Sequence, residues 1–194
     1  MRKKQDYNKI YEAAIRQFAQ KGYKKATLLD IAEELNMTNA NLYSYAKSKQ
    51  ALYHDAVEYA MKKWQNYVKA AVSKAEDPIE QINALFDSAI TYLSGDKDFC
   101  SILKNDPELF PMFPNVDPFE EVNKKSVKML ESVLSNGIKK GAFLDIEVAR
   151  VAHILFAIYK SLIIEGYILS DDDNFLKTTY YEAKNILLNG ILKK

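Results

Sequence analysis

The segment from Thr27 to Lys49 constrains the fold of this chain more than any other stretch. It reads TLLDIAEELNMTNANLYSYAKSK, with Thr27 placed as a helix N-cap and Asp30 in the first turn. Apolar residues then recur at helical spacing until Asn36, a residue type that tolerates a left-handed backbone. Thr38 can cap a second short helix. The segment therefore predicts two short helices separated by a tight turn, which is the helix-turn-helix unit.

The second helix of this unit is polar on the side expected to face outward. It carries Asn39, Asn41 and Ser44 among apolar neighbours. Side chains of this type donate hydrogen bonds to phosphates and to base edges in the major groove of DNA. The pattern therefore indicates a nucleic-acid-binding head.

The chain from Ile10 to Tyr53 resembles the DNA-binding domain of the TetR family of transcriptional regulators. The residues that carry the resemblance stand at the family's spacing: Ile10, Ala13, Ala14, Phe18, Gly22, Tyr23, Thr27, Ile31, Ala32, Leu42, Tyr43, Tyr45, Lys49 and Leu52. Two positions depart from the pattern. Asn36 stands where the turn usually has Gly, and Ala46 stands where the family usually has an aromatic residue.

The distribution of charge supports the same interpretation. Residues 1–53 hold ten Lys and Arg against five acids, whereas residues 54–194 hold 17 bases and 21 acids. A basic head on a mildly acidic body is typical of a module that binds a polyanion. A merely solvated charged surface is the alternative interpretation of the charge alone.

Periodicity and capping signals predict an all-α chain of about nine helices, preceded by a loose basic arm over residues 1–9. We divide it into a helix-turn-helix DNA-binding domain, 1–47, and a helical ligand-binding and dimerisation domain, 48–194. No alternating apolar pattern indicates a strand. The predicted helices span residues 7–21, 27–35, 38–45, 48–74, 77–95, 98–105, 119–140, 145–170 and 174–192.

Other features of the composition narrow the class of protein. Cys100 is the only cysteine, so no disulfide can form within the chain, and no apolar run approaches the ~20 residues of a membrane span. We therefore expect a cytoplasmic protein. No phosphate-binding loop, metal-ligand cluster or nucleophile motif is present, so we expect neither an enzyme nor a cofactor. His54 and His153 are interpreted as satisfied or solvated side chains.

The body is rich in aromatic residues and Met, which serve as core or as the lining of an apolar cavity. The segment 107–118 holds four of the five prolines together with Phe110 and Phe113, and it can line such a cavity or simply connect two helices. The resemblance implies a cavity among the middle helices. The candidate lining residues are Trp64, Tyr67, Phe86, Ile90, Phe99, Leu103, Phe110, Phe113, Met129 and Tyr159.

The last two helices carry more apolar residues than one buried face requires, so they can pair with a second copy as a four-helix interface. The resemblance implies a homodimer of this kind. The candidate interface residues are Ile154, Ile158, Leu162, Tyr180, Ala183 and Leu187. The two DNA-reading helices of such a dimer should lie roughly 34–40 Å apart to reach the half-sites of a palindrome.

Residue type and resemblance together assign roles within the head. We expect phosphate contacts from Thr27, Thr38, Tyr43 and Lys49, and base contacts from Asn39, Asn41 and Tyr45. Asn pairs well with adenine, so A·T pairs are expected under Asn41.

The predicted function is that of a repressor that binds double-stranded operator DNA as a homodimer and is released by a small apolar effector. Two alternatives stay open at this stage. One is a DNA-binding regulator without a small-molecule ligand, either constitutive or controlled by a protein partner. The other is a degenerate enzyme-like helical protein.

Overall fold

The computed structural model describes residues 2–106, 117–163, 165 and 173–193, with side chains from Tyr7 and, in the last helix, from Thr178. The fold is all-α, as predicted, and the described residues contain no β-strand beyond one isolated bridge between Phe143 and Leu192. None of the described helices is long and apolar enough to cross a membrane. The helices are α1 (Arg2–Lys25), α2 (Leu28–Glu34), α3 (Asn39–Leu42), α4 (Lys49–Val72), α5 (Pro78–Gly95), α6 (Lys97–Asn105), α7 (Glu120–Lys139), α8 (Val148–Ile163) and α9 (Asp173–Ile191).

The first helix is longer than the sequence predicted. It begins at Arg2 rather than after a loose arm, because the Arg, Lys and Gln of this segment are strong helix formers. Its predicted end at Gly22 is a sharp kink, where φ is 74° and ψ is 157°. Only a residue without a Cβ adopts that backbone conformation cheaply.

Local capping chemistry defines the helix-turn-helix unit. The Thr27 hydroxyl accepts a hydrogen bond from the Asp30 backbone N–H at 3.1 Å, and the Asp30 carboxylate accepts one from the Thr27 backbone N–H at 2.8 Å. Asn36 ends the turn in the left-handed region, with φ of 53°. Thr38 then caps α3, which is shorter than the predicted 38–45, because residues 43–45 continue as tight turns rather than α-helix.

Aromatic contacts join α4 to the core of the head. Ala46 is buried, as are Phe18 and Leu42. The Phe18 ring packs edge-on against Tyr53 at 4.9 Å, and Tyr23 lies 4.8 Å from the same Tyr53 ring. Tyr53 belongs to α4, so these rings join α4 to the head.

Helix α4 packs against α1 at one end and against α5 and α7 further along. Its 24 residues span about 36 Å. Its buried stripe includes Leu52, Val57, Trp64 and Val68, as the sequence predicted. The head and the body therefore share one continuous helix.

The body is completed by α5 to α9. The side chain of Asp77 caps α5 by accepting hydrogen bonds from the N–H groups of Ile79 and Glu80, and Pro78 takes the first helical position. Residues 107–116 of the proline-rich segment lie outside the described part of the chain. So do the pocket candidates Phe110 and Phe113 and most of the predicted helix beyond Ile163.

Two polar contacts fix α9 to α5. The Tyr180 hydroxyl donates a hydrogen bond to the Phe86 carbonyl, and the buried Lys184 ammonium lies 2.7 Å from the Asp87 carboxylate. Tyr180 is therefore packed inside its own subunit and does not lie on the free face that a second copy would meet. Its prediction as a dimer residue was wrong because the hydroxyl faces α5.

A close contact at Gly137 of α7 generates a prediction about stability. A Cβ at Gly137 would overlap the buried ring of Phe143. We expect Gly137→Ala to lower the free energy of unfolding by about 1–3 kcal/mol, because the ring must move within a packed core. The measurement is urea denaturation followed by circular dichroism.

Gly190 provides the matched control for this prediction. It lies in α9, and a Cβ added there would have nothing within 4 Å. We expect Gly190→Ala to raise the free energy of unfolding by about 0.4–1 kcal/mol, because alanine restricts the unfolded chain. Equal effects of the two substitutions would contradict the packing described at Gly137.

Candidate nucleic-acid interface and ligand cavity

Helix α3 presents its polar side chains to solvent. Leu42 is fully buried and anchors the helix on the head, whereas Asn39, Asn41 and Tyr43 are exposed. This arrangement follows from the sequence, because one apolar residue in a single helical turn leaves the other positions facing outward. The three exposed side chains are therefore available to an external ligand.

The two threonines predicted to hold phosphates differ in their hydrogen bonds. The Thr38 hydroxyl accepts from the Asn41 N–H at 3.2 Å, which leaves its proton available for a phosphate oxygen. The Thr27 hydroxyl donates its proton to the Asp30 carboxylate at 2.7 Å. Thr27 thus acts within its capping box, and only Thr38 keeps a free hydroxyl donor.

The carboxylate of Asp30 stays ionised over a wide pH range. A hydrogen bond from Lys21, followed by those from Thr27, lowers the pKa of Asp30 to about 2. Because the pKa is lowered on folding, the interaction stabilises the fold at neutral pH and is lost only as the pH falls toward 2. The start of α2 is therefore intact at physiological pH.

The Lys49 ammonium is held by backbone carbonyls of the head, and its predicted phosphate contact stays a prediction. Its ammonium donates hydrogen bonds to the carbonyls of Tyr23, Lys24 and Ala26, at 2.8, 3.3 and 3.1 Å. It also lies over the Tyr23 ring, 4.7 Å from the centroid. The cation satisfies the carbonyls at the end of α1, as expected for a lysine at a helix C-terminus.

Two lysines missed by motif matching lie beside the exposed residues of α3. Lys24 and Lys47 line a shallow groove that Thr27, Asn39, Tyr43 and Lys49 also line. Both are exposed, and neither ammonium has an ion pair within the described chain. The excess of basic residues in the head is the only sequence signal that included them.

Tyr45 is separated from the exposed asparagines. Its ring is half-buried and packs edge-on against Tyr7 of α1 at 5.2 Å. The structure therefore places Tyr45 in the packing between α1 and the turn after α3, rather than among the side chains that face outward.

The body contains a small cavity of about 60 Å³. Helices α4, α5, α7 and α8 supply a mainly apolar lining: Met61, Trp64, Gln65, Val68, Leu85, Phe86, Ala89, Val122, Asn123, Ser126, Met129, Leu130, Phe156 and Tyr159.

Four predicted pocket residues line this cavity: Trp64, Phe86, Met129 and Tyr159. The other four described candidates lie elsewhere. Phe99 and Leu103 are fully buried core residues, and Ile90 lies outside the lining. Tyr67 is 46% exposed and packs against Tyr92, so it faces away from the cavity. Helical spacing alone could not distinguish the residues that line the cavity from those packed elsewhere, because both sets are apolar.

Polar groups of the cavity cluster between α4 and α7. The Gln65 amide donates to the Val122 carbonyl and to the Ser126 hydroxyl, both at 2.9 Å. The Asn123 amide donates to the Asp117 carboxylate at 2.7 Å. These contacts hold α7 against α4 on one side of the cavity.

The outer faces of α8 and α9 expose apolar side chains. Ile154 is 47% exposed and Ile186 is 72% exposed, while Ile158 and Leu187 are half-buried. Leu162 and Ala183 are also half-buried. Two exposed residues of α9 were absent from the predicted set: Tyr181 and Ile186.

The family comparison agrees with the geometry of the head. Residues 10–56 match the family model described as bacterial regulatory proteins, tetR family. Residues 10–56 therefore form a TetR-family domain. The match covers most of α1, all of α2 and α3, and the start of α4, and it includes the exposed polar surface.

Relatives of this TetR-family chain are transcriptional regulators. The repressor KstR2 of Mycolicibacterium smegmatis is 24% identical over 140 residues, which covers 70% of this chain and 66% of that protein. A TetR transcription regulator from Haloarcula marismortui superposes with a TM-score of 0.82 at 22% identity, over 97% of this chain and all of that one. FadR of Bacillus subtilis, solved in complex with stearoyl-CoA, gives a TM-score of 0.75 at 17% identity, over 95% and 99%.

The contacts of Lys49 generate a second prediction. Lys49→Met keeps much of the aliphatic stem but removes three hydrogen bonds to carbonyls. We expect it to lower the free energy of unfolding by about 1–2 kcal/mol, a value reduced by partial exposure of the site. Chemical denaturation measures the change.

Lys47→Met is the control, since the Lys47 ammonium lies in solvent two positions away. Its effect on unfolding should stay within about 0.5 kcal/mol. If Lys49→Met were as mild as Lys47→Met, the assignment of Lys49 to the end of α1 would be wrong.

Proposed function

We propose that the chain is a transcriptional repressor that binds palindromic operator DNA as a homodimer and is released by a small effector bound in its body. The observation that carries the proposal is the exposed polar face of α3, on a capped helix-turn-helix and beside two unpaired lysines. Family membership and the repressor KstR2 among the relatives support the same function. We propose no catalytic role. Because the protein would bind chromosomal DNA, the proposal includes a cytoplasmic location.

The division of labour follows the two predicted domains. Residues 1–47 would form the DNA-binding head, and 48–194 would form the body that dimerises and binds the effector. Helix α4 begins at this boundary and extends into the body. The first turn of α4 packs on the head and the rest packs on the body, so the proposed boundary lies within packed structure and not at a flexible linker.

Within the head, Asn39 and Asn41 would read bases in the major groove, with A·T pairs favoured under Asn41. Phosphate contacts would come from Thr38, Tyr43 and the two lysines of the shallow groove, Lys24 and Lys47. Lysine binds phosphate as a mobile point charge, which suits their exposed positions. Thr27, Tyr45 and Lys49 would support this surface from within the head. The Thr27 hydroxyl donates to Asp30, the Tyr45 ring packs against Tyr7, and the Lys49 ammonium donates to carbonyls at the end of α1.

The exposed apolar faces of α8 and α9 would form the dimer interface. Ile154, Tyr181 and Ile186 are large side chains left in solvent by the single subunit. Burial of such side chains is the usual driving force for association, and two helices from each subunit can form a four-helix contact. An isologous interface of this type would give the two heads a two-fold relation.

The effector would bind the cavity between α4, α5, α7 and α8. The stearoyl-CoA complex of FadR supports a ligand with a long apolar part in this fold. Four cavity residues belong to α4, the helix that packs against the head: Met61, Trp64, Gln65 and Val68. A ligand that prefers one position of α4 would shift the spacing of the heads, and release requires a preference of a few kcal/mol.

Contacts near the start of α4 would help to transmit this shift. The Tyr53 hydroxyl donates to the Asp106 carboxylate at 2.7 Å, and the His54 ring stacks on Phe119 at 5.1 Å. Asp106 follows α6, and Phe119 precedes α7, which lines the cavity. We propose the ligand-controlled function because a mainly apolar cavity lies beside α4, which neither a constitutive regulator nor one controlled by a protein partner would need.

The roles proposed for the head are tested by variants of Asn41 and Lys47. A preferred duplex is first selected from a random-sequence library with the unmodified protein. We expect Asn41→Ala to weaken binding to it by about 1–3 kcal/mol and to relax base preference at one position in each half-site. Lys47→Ala should weaken binding to every duplex and reduce the slope of log affinity against log salt by about one per lysine.

Lys139→Ala, an exposed lysine at the end of α7, is the control and should change neither quantity. Fluorescence anisotropy over a series of salt concentrations provides both readouts. Unchanged affinity and base preference in Asn41→Ala would remove this residue from the interface. Failure of the unmodified protein to select any duplex would overturn the proposed function.

A further inference from the structure

One large aliphatic side chain of the head lies in solvent. Leu29, the second residue of α2, is 51% exposed. Its neighbours Leu28, Ile31 and Ala32 are buried and attach α2 to the head. Leu29 follows Leu28 by one position, about 100° around the helix, so it lies off this buried stripe. Packing within the subunit therefore does not account for a leucine at this position.

Leu29 lies in the shallow groove of the head. This groove is formed by the end of α1, the start of α2, α3 and the segment before α4. The other exposed residues of its lining carry polar groups: Lys24, Thr27, Asn39, Tyr43, Lys47 and Ser48. Among the described residues that line the groove, Leu29 is thus the only exposed one with a purely hydrocarbon side chain.

The groove belongs to the surface that would meet DNA, and this placement distinguishes Leu29 from a leucine scattered elsewhere on the surface. A leucine pressed against a phosphate or a base amino group would remove water from a polar group without replacing its hydrogen bond, which is unfavourable. The major-groove edges of the base pairs offer a single apolar group, the 5-methyl group of thymine. Thymine is therefore the base that a leucine in this groove can contact favourably.

We infer that Leu29 is a specificity residue that contacts the 5-methyl group of one thymine in each half-site of the operator. This inference rests on the proposed function and adds to it a second kind of base selection. Asn39 and Asn41 would select adenine through hydrogen bonds, whereas Leu29 would select thymine through apolar contact. Because Asn39 lines the same groove, this thymine should lie close to the base pair that Asn39 contacts.

The test removes the methyl group from the DNA. Deoxyuridine pairs with adenine as thymine does and lacks only the 5-methyl group. In the duplex selected by the unmodified protein, each thymine is replaced by deoxyuridine in turn, at equivalent positions of both half-sites, and affinity is measured by fluorescence anisotropy. We expect one position at which the replacement weakens binding about tenfold, since the loss of one buried methyl contact corresponds to about fourfold per half-site.

Leu29→Ala identifies the side chain that contacts this methyl group. The variant should bind the thymine duplex about tenfold less tightly, and deoxyuridine at the sensitive position should change its affinity by less than about twofold. At every other thymine, the variant and the unmodified protein should respond alike. A role of Leu29 in the fold of α2 alone would lower affinity for both duplexes equally and leave the response to deoxyuridine intact.

Leu144→Ala is the matched control, because Leu144 is a 42% exposed leucine between α7 and α8, outside the groove. This substitution should change neither the affinity for the thymine duplex nor the response to deoxyuridine. Circular dichroism establishes that both variants fold.

Two results would overturn the inference while DNA binding by the unmodified protein stands. One is a selected duplex in which no thymine is sensitive to deoxyuridine. The other is a Leu29→Ala variant that keeps the full response at every sensitive thymine, which would assign the methyl contact to another side chain. If the unmodified protein selects no duplex, the inference fails together with the proposed function.

Discussion

The structure depends on the packing of one amphipathic helix, α4, against two different sets of partners. Near its start, Lys49 holds the last carbonyls of α1, and Tyr53 packs between Phe18 and Tyr23. About three turns further on, the same helix presents Trp64 to the cavity of the body. One continuous helix therefore joins the head to the cavity, and the proposed shift would pass along it.

The elements that depend on local chemistry were predictable from the sequence. The starts of α2, α3, α4 and α5 follow from Thr27, Thr38, Ser48 and Asp77, because a cap and the N–H groups it accepts from are at most three residues apart. The left-handed backbone at Asn36 follows from residue type in the same way. The exposed asparagines of α3 were identified for the same reason.

Contacts between distant residues were not predictable in this way. Lys49 is 26 residues from Tyr23, and Tyr180 is 94 residues from Phe86, so neither partner could be read from spacing. The same limit explains the pocket candidates, since Trp64 and Phe99 are both apolar residues at helical positions. Only tertiary packing shows that one lines the cavity and the other fills the core.

These features combine into a simple physical account. The head offers neutral hydrogen-bonding groups and mobile cations to DNA, while its own lysine at position 49 is used to join α1 to α4. The body places an apolar cavity beside α4. Under the proposed function, a ligand in this cavity would act on the helix that carries the head.

The most direct test of this account is the distance between the two heads of the proposed dimer. A spin label at Glu33→Cys, an exposed position of α2, in a Cys100→Ala background can be measured by double electron–electron resonance. The account predicts one narrow distance distribution with the selected duplex and a clearly displaced one with saturating lauroyl-CoA or laurate. Identical distributions in the two states, or no interaction between labels at all, would contradict it.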